Sequence, residues 1–102
     1  MRIHRHKFNA RPTTTDGIRF DSKKEAAYYR ELKLRQQAGD VVFFLRQVPF
    51  HLPGGVTYRV DFVVFASDGT VAFVDVKGMR TAQYKAKKRM VEAVYPVEIV
   101  EV

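Results

Sequence analysis

Two carboxylates and an ammonium stand close together in the middle of an apolar stretch. Asp61, Asp75 and Lys77 fall within YRVDFVVFASDGTVAFVDVKG, the segment from Tyr58 to Gly78. Its two Val- and Phe-rich runs flank Ser67-Asp68-Gly69, the composition of two strands joined by a tight hairpin. A three-residue loop with Gly last suits a type I turn closed by a left-handed Gly. That loop pairs Ala66 with Thr70, which carries the register back to Asp61 opposite Asp75. The two-residue period of a strand then places Lys77 on the same face. Opposed strand residues have Cβ atoms about 4.5–5.5 Å apart, and like charges so placed repel. A divalent cation between the carboxylates is the economical compensation. The plainer alternative is a solvated sheet face with a weak Asp75–Lys77 ion pair.

Other elements must position this hairpin and complete its chemistry. A helix is expected over residues 22–38, starting at Ser22 and stopping at Gly39. Tyr28, Tyr29 and Leu32 mark its buried side, and Glu25 lies three, four and seven positions before them, on that face. Ser22-x-x-Glu25 also reads as a capping box, with the Glu25 side chain returning to the Ser22 N–H. A first-turn Glu on the inner face serves as cap, as site residue, or as both. Residues 41–50 (VVFFLRQVPF) read as a strand limited by Pro49, followed by a loop over residues 52–55. Gln47 lies on that strand beside the hairpin, either as a solvent-facing residue or as a contributor to the same site. A second helix is expected over residues 81–95, where Arg80, Lys85, Lys87, Lys88 and Arg89 face a single Glu92. Pro96 ends it, and residues 97–102 (VEIVEV) read as the last strand. Asp16-Gly17 reads as a turn between Thr13–Thr15 and Ile18–Phe20.

With 102 residues the chain is expected to be one domain, residues 1–102, with a single modest core. Residues 1–11 (MRIHRHKFNAR) form a basic arm in which His4 and His6 lack nearby carboxylates, so contact with an anionic backbone suits it better than metal binding. The absence of cysteine excludes a disulfide framework and a thiolate zinc site. No apolar run approaches a membrane span, and Arg2, Arg5 and Lys7 are not followed by an apolar signal core. The expectation is a soluble intracellular, cytoplasmic protein without a membrane partner. A net charge of +7 favours an anionic partner, most often nucleic acid.

The order helix, three strands, helix, strand, with Asp61, then Asp75-Val76-Lys77, and a Glu on the first helix, resembles the PD-(D/E)xK nuclease superfamily. Val60 stands where many members have Pro. Within that superfamily the chain is most similar to the small archaeal-type and phage-encoded Holliday junction resolvases, on Phe20-Asp21-Ser22-Lys23-Lys24-Glu25-Ala26 followed by Tyr28-Tyr29. The resemblance implies an α/β fold with a restriction-endonuclease-like core: a helix, a three-stranded antiparallel meander, a helix and a strand, in a mixed sheet flanked by helices. It implies a Mg²⁺- or Mn²⁺-dependent endonuclease, without a small-molecule cofactor, acting on branched DNA such as a four-way junction.

The expected roles follow residue by residue. Asp61, Asp75, the Val76 carbonyl and Glu25 would hold the metal or its water. Lys77, a compact point charge, would orient the attacking water or neutralise charge on the phosphate. Arg2, Arg5, Lys7 and Arg11 of the arm, with Lys85, Lys87, Lys88 and Arg89, would contact phosphates, and such contacts select structure more than sequence. Two symmetric cuts across a junction call for a homodimer, with the apolar residues 41–45 or the second helix near the interface. A transposon-end or replication-associated nicking enzyme, and a non-catalytic DNA-binding module on the same fold, are the alternatives.

Overall fold

The computed structural model describes residues 12–76 and 80–102. The chain opens with a small hairpin, β1 (Thr13–Thr15) and β2 (Ile18–Phe20). Asp16 and Gly17 at its tip have φ of 53° and 76°. Two successive left-handed residues are what a two-residue hairpin turn requires. Helix α1 (Lys23–Gln37) is capped by Ser22, whose hydroxyl accepts the Glu25 N–H, and it ends before Gly39 at φ 91°. Its inner face carries Glu25, Ala26, Tyr29 and Leu32, the expected i, i+4, i+7 stripe.

Four strands make the main sheet, in the order β3 (Val41–Leu52), β4 (Val56–Ala66), β5 (Val71–Asp75) and β6 (Ile99–Glu101). The first two pairings are antiparallel and β5–β6 is parallel, with α2 (Ala82–Val94) as the crossover. The sheet is therefore mixed and the class α/β. Strand β3 runs past Pro49 to Leu52, further than expected, with Pro49 opposite Arg59. Because β3 is an edge strand, the missing Pro N–H leaves no inner neighbour unpaired. The expected loop after it is a single 3₁₀ turn, Pro53–Gly55, with Gly54 and Gly55 both left-handed.

The β4–β5 turn forms as the loop composition requires. Ala66 N–H donates to Thr70 O at 2.9 Å, Gly69 is left-handed at φ 92°, and Asp68 accepts from both donors of Thr70.

The sheet separates two cores. On one face Phe62, Val64, Val74 and Val76 pack with Phe20 and the α1 residues Ala26, Tyr29 and Leu32. On the other, Tyr58, Val60, Val63 and Ile99 pack with Val91 of α2. On edge strand β3, Val42, Phe43 and Leu45 are exposed, with Phe43 stacked on Phe65. Among the described residues no helix is long and apolar enough to cross a membrane.

Candidate active site

The β4–β5 ladder runs from Phe65↔Val71 to Phe62↔Val74, so Asp61 and Asp75 share the next rung, as the loop length requires. There the backbone ladder gives way to side chains. The Asp61 N–H donates to Asp75 Oδ1 at 3.0 Å, and the Val76 N–H donates to Asp61 Oδ2 at 2.9 Å. Each carboxylate thus accepts a backbone donor from the opposite strand, a charge-assisted bond. The like-charge conflict expected from the register is met first by these donors. Both residues are buried, Asp75 completely.

Gln47 lies across β4 from Asp61, at the one rung the β3–β4 ladder skips: Arg46↔Phe62 precedes it and Val48↔Val60 follows. Its φ is 52°, a left-handed value that costs a residue with a Cβ about 1–2 kcal/mol. The side-chain alternation of both strands changes phase at this rung. Phe44 of β3 and Phe62 and Val64 of β4 face α1, whereas Val48, Phe50, Tyr58 and Val60, of the same parity, belong to the α2 core. Arg46 and the adjacent Gln47 consequently both reach the α1 side. Gln47 Nε2 donates to Glu25 Oε2 and to Asp61 Oδ1, each at 3.2 Å. Two acceptors on either side orient the amide nitrogen toward them.

Glu25 does not complete the capping box. Its backbone N–H bonds to Ser22 Oγ at 3.1 Å, but its carboxylate turns inward to Gln47. Burial is the main cause that pushes its pKa from 4.5 to about 7; Asp61 and Asp21 add to the rise, and Arg46 and Gln47 oppose it. Arg46 Nη2 lies 3.9 Å from Glu25 Oε2, and its guanidinium sits 4.5 Å over the Phe20 ring. Sequence reasoning missed Arg46, although it is the one Lys or Arg in β3. Tyr84 of α2 was missed as well. Its hydroxyl donates to Glu101 Oε2 at 2.8 Å, and its pKa is raised by burial, by that bond and by the nearby charge of Asp75.

A family profile matches residues 5–100. The chain belongs to that family, described as "Protein of unknown function (DUF1064)". No curated protein and no solved structure matches the chain. The matched span contains every residue of the network around Gln47.

The remaining expected site residues divide into three groups. Lys77, Arg2, Arg5, Lys7 and Arg11 lie outside the described residues. Val76 lies beside the carboxylates: its N–H is held by Asp61 and its side chain packs in the α1 core. On α2, Lys85 and Arg89 are exposed and Lys87 is half-buried, whereas Lys88 is paired with Glu92 at 3.2 Å. Among the described residues, no three of His, Asp and Glu are gathered into a group that would hold a metal. The pair that meets, through Gln47, is Glu25 and Asp61.

Proposed function

We propose that the chain is a metal-dependent, structure-selective DNA endonuclease with a PD-(D/E)xK-type core, acting as a Holliday junction resolvase. The observation that carries this reading is the convergence of Glu25 from α1, Gln47 from β3 and Asp61 from β4 at one rung, beside Asp75 at the end of β5. The element order from α1 to β6 suits a restriction-endonuclease-like core. The donor chemistry suits Mg²⁺ or Mn²⁺, since Glu25, Asp61 and Asp75 offer hard, buried carboxylate oxygens, and these are the residues that would hold such an ion. When bound, such an ion supplies Lewis acidity and lowers the pKa of a coordinated water.

The chain's own residues do the rest. Asp61 and Asp75 are fixed by backbone N–H groups, so their carboxylates keep one orientation as substrate arrives. Glu25, held by Gln47, would orient water on the α1 side, and the Val76 carbonyl would be a further oxygen donor to the ion. Lys77 contributes a point charge to the attacking water or the phosphate. Lys85, Lys87 and Arg89, with the basic arm, hold the DNA by its phosphates.

The test is a cleavage assay in Mg²⁺ with four-way junction, flap and linear duplex, repeated in chelator. The junction should be cut preferentially, and Asp61→Asn, Asp75→Asn and Lys77→Ala should each abolish cutting while the fold persists. Near-parental turnover in any of the three removes the assignment. Equal cutting of duplex and junction would point instead to a transposon-end or nicking role.

A further inference from the structure

Beyond the carboxylate rung, β4 continues without β5. Strand β5 pairs with β4 over Phe62 to Phe65, and among the described residues no strand lies beside residues 56–60 on that side. The start of α2 stands against this open edge. Between them lies a cavity of about 250 Å³, lined by Thr57, Tyr58 and Arg59 of β4 and by Thr81, Tyr84 and Lys87 at the beginning of α2. It is smaller than the roughly 300–1,000 Å³ of pockets that enclose whole small molecules. It is ample for a phosphate group, and it is open to solvent on one side.

We infer that this cavity is a phosphate-binding subsite for a nucleic-acid strand, seating a phosphate other than the one at the Asp61–Asp75 rung. Four independent features favour an oxyanion there. Arg59 and Lys87 make no ion pair among the described residues, whereas Arg35, Arg46, Arg80 and Lys88 are each paired with a carboxylate. At the α2 N-terminus, Thr81 takes the Tyr84 and Lys85 N–H groups through its hydroxyl and carbonyl, which among the described residues leaves those of Ala82 and Gln83 without an acceptor. Tyr58 is only 5% exposed, yet among the described residues its hydroxyl has no hydrogen-bond partner, and buried hydroxyls are seldom left so. Finally, the acids beside Tyr84 are already engaged, Asp75 as the acceptor of the Asp61 N–H. Glu101 is held by Arg80 at 2.9 Å and by Tyr84, so it does not oppose an incoming anion at full strength.

Placement gives the subsite its meaning. Arg59 is two residues from Asp61 on the same strand, roughly 7 Å along it. A strand whose scissile phosphate lies at the carboxylates would pass over the cavity with a neighbouring phosphate. Arg59 and Tyr58 would then set which bond enters the site. This rests on the endonuclease reading for its purpose, though not for the binding itself.

The experiment is a titration of the ¹⁵N-labelled full chain in chelator with inorganic phosphate, then a 5′-mononucleotide, then a short single-stranded oligonucleotide. Inorganic phosphate should shift the amides of residues 57–59 and 81–84 saturably. Arg59→Gln should weaken its binding by about tenfold or more, and Tyr58→Phe, a change that keeps the packing, by about two- to tenfold. The oligonucleotide should bind more tightly than the mononucleotide, with a salt slope shallower by about 0.7 in Arg59→Gln. Shifts elsewhere, or parental affinity in both variants, overturn the subsite. A mononucleotide that outcompetes the oligonucleotide overturns the strand assignment in favour of a small-ligand site. Cleavage separates the two readings: a parent that cuts without phosphate shifts at these amides loses only the subsite, and one that shows them without cutting loses only the nuclease.

Discussion

Replacing Glu25 by Gln should stabilise the protein, and only above the ordinary range of carboxylate titration. Glu25 is buried, and its pKa rises from 4.5 to about 7 in the fold. A carboxyl whose folded pKa is raised is penalised when ionised. Stability is therefore highest below the unfolded value near 4.5, falls as pH rises toward 7, and stays low beyond it. At 1.36 kcal/mol per pKa unit the displacement corresponds to about 3 kcal/mol, an upper value. The attraction of Arg46 and the Gln47 hydrogen bond are already included in the value near 7. Glu25→Gln removes the titration and leaves the cap intact, because Ser22 bonds the backbone N–H and not the side chain. Denaturant unfolding in chelator from pH 4.5 to 8.5 measures the difference between variant and parent. It should grow by about 2–3 kcal/mol across that window, with other titrating groups cancelling. Saturating Mg²⁺ should flatten the parent's curve and change the variant's less, since Asp61 and Asp75 remain in it. A difference that stays constant within about 1 kcal/mol across the pH range would refute the argument.

Gln47→Gly should relieve left-handed strain worth about 1–2 kcal/mol and yet abolish cleavage, since the bridge between Glu25 and Asp61 goes with the side chain; parental activity in this variant would make the bridge incidental. On α2, Lys87→Ala should flatten the salt dependence of DNA affinity by about one unit of slope, whereas Lys88→Ala should do less because Lys88 is paired with Glu92. Equal effects would mean that the ion pair opens on binding. Light scattering at micromolar concentration should report a homodimer that Phe43→Ser or Leu45→Ser weakens, because both side chains are exposed on an edge strand; a strict monomer, alone and on a junction, would remove the resolvase reading.

Much of the frame could be read from residue order because it rests on local chemistry. Ser22 and Gly39 bound α1, Thr81 and Pro96 bracket α2, and Ser67-Asp68-Gly69 fixes the register that puts Asp61 and Asp75 on one rung. Pro49 misled, because only the tertiary position of β3 as an edge makes it harmless. The capping box left two outcomes open for a related reason. A Glu three residues after Ser is equally at home beside the Ser22 N–H or beneath the sheet, and what decides is Gln47, which is 22 residues away in the chain. Arg46 and Tyr84 reach the site through long-range packing that no spacing rule carries, although a lone Arg in an apolar strand is a signal worth following.

The least legible feature is also the one on which the site depends. Strand reading assumes a period of two, and under that rule Arg46 and Gln47 point to opposite faces. With unbroken alternation Gln47 would turn away from α1 and could not join Glu25 to Asp61. Instead both β3 and β4 change phase at their shared rung while the pairing register is kept, Arg46↔Phe62 before it and Val48↔Val60 after it. The switch lets one pair of strands present apolar residues to α1 on one side of the rung and to α2 on the other. It also frees the rung itself from both cores, so that Gln47 and Asp61 can be polar there without leaving a gap in either. The left-handed backbone of Gln47 is thus the hinge of the arrangement, a local cost held in place by two cores that pack on opposite faces.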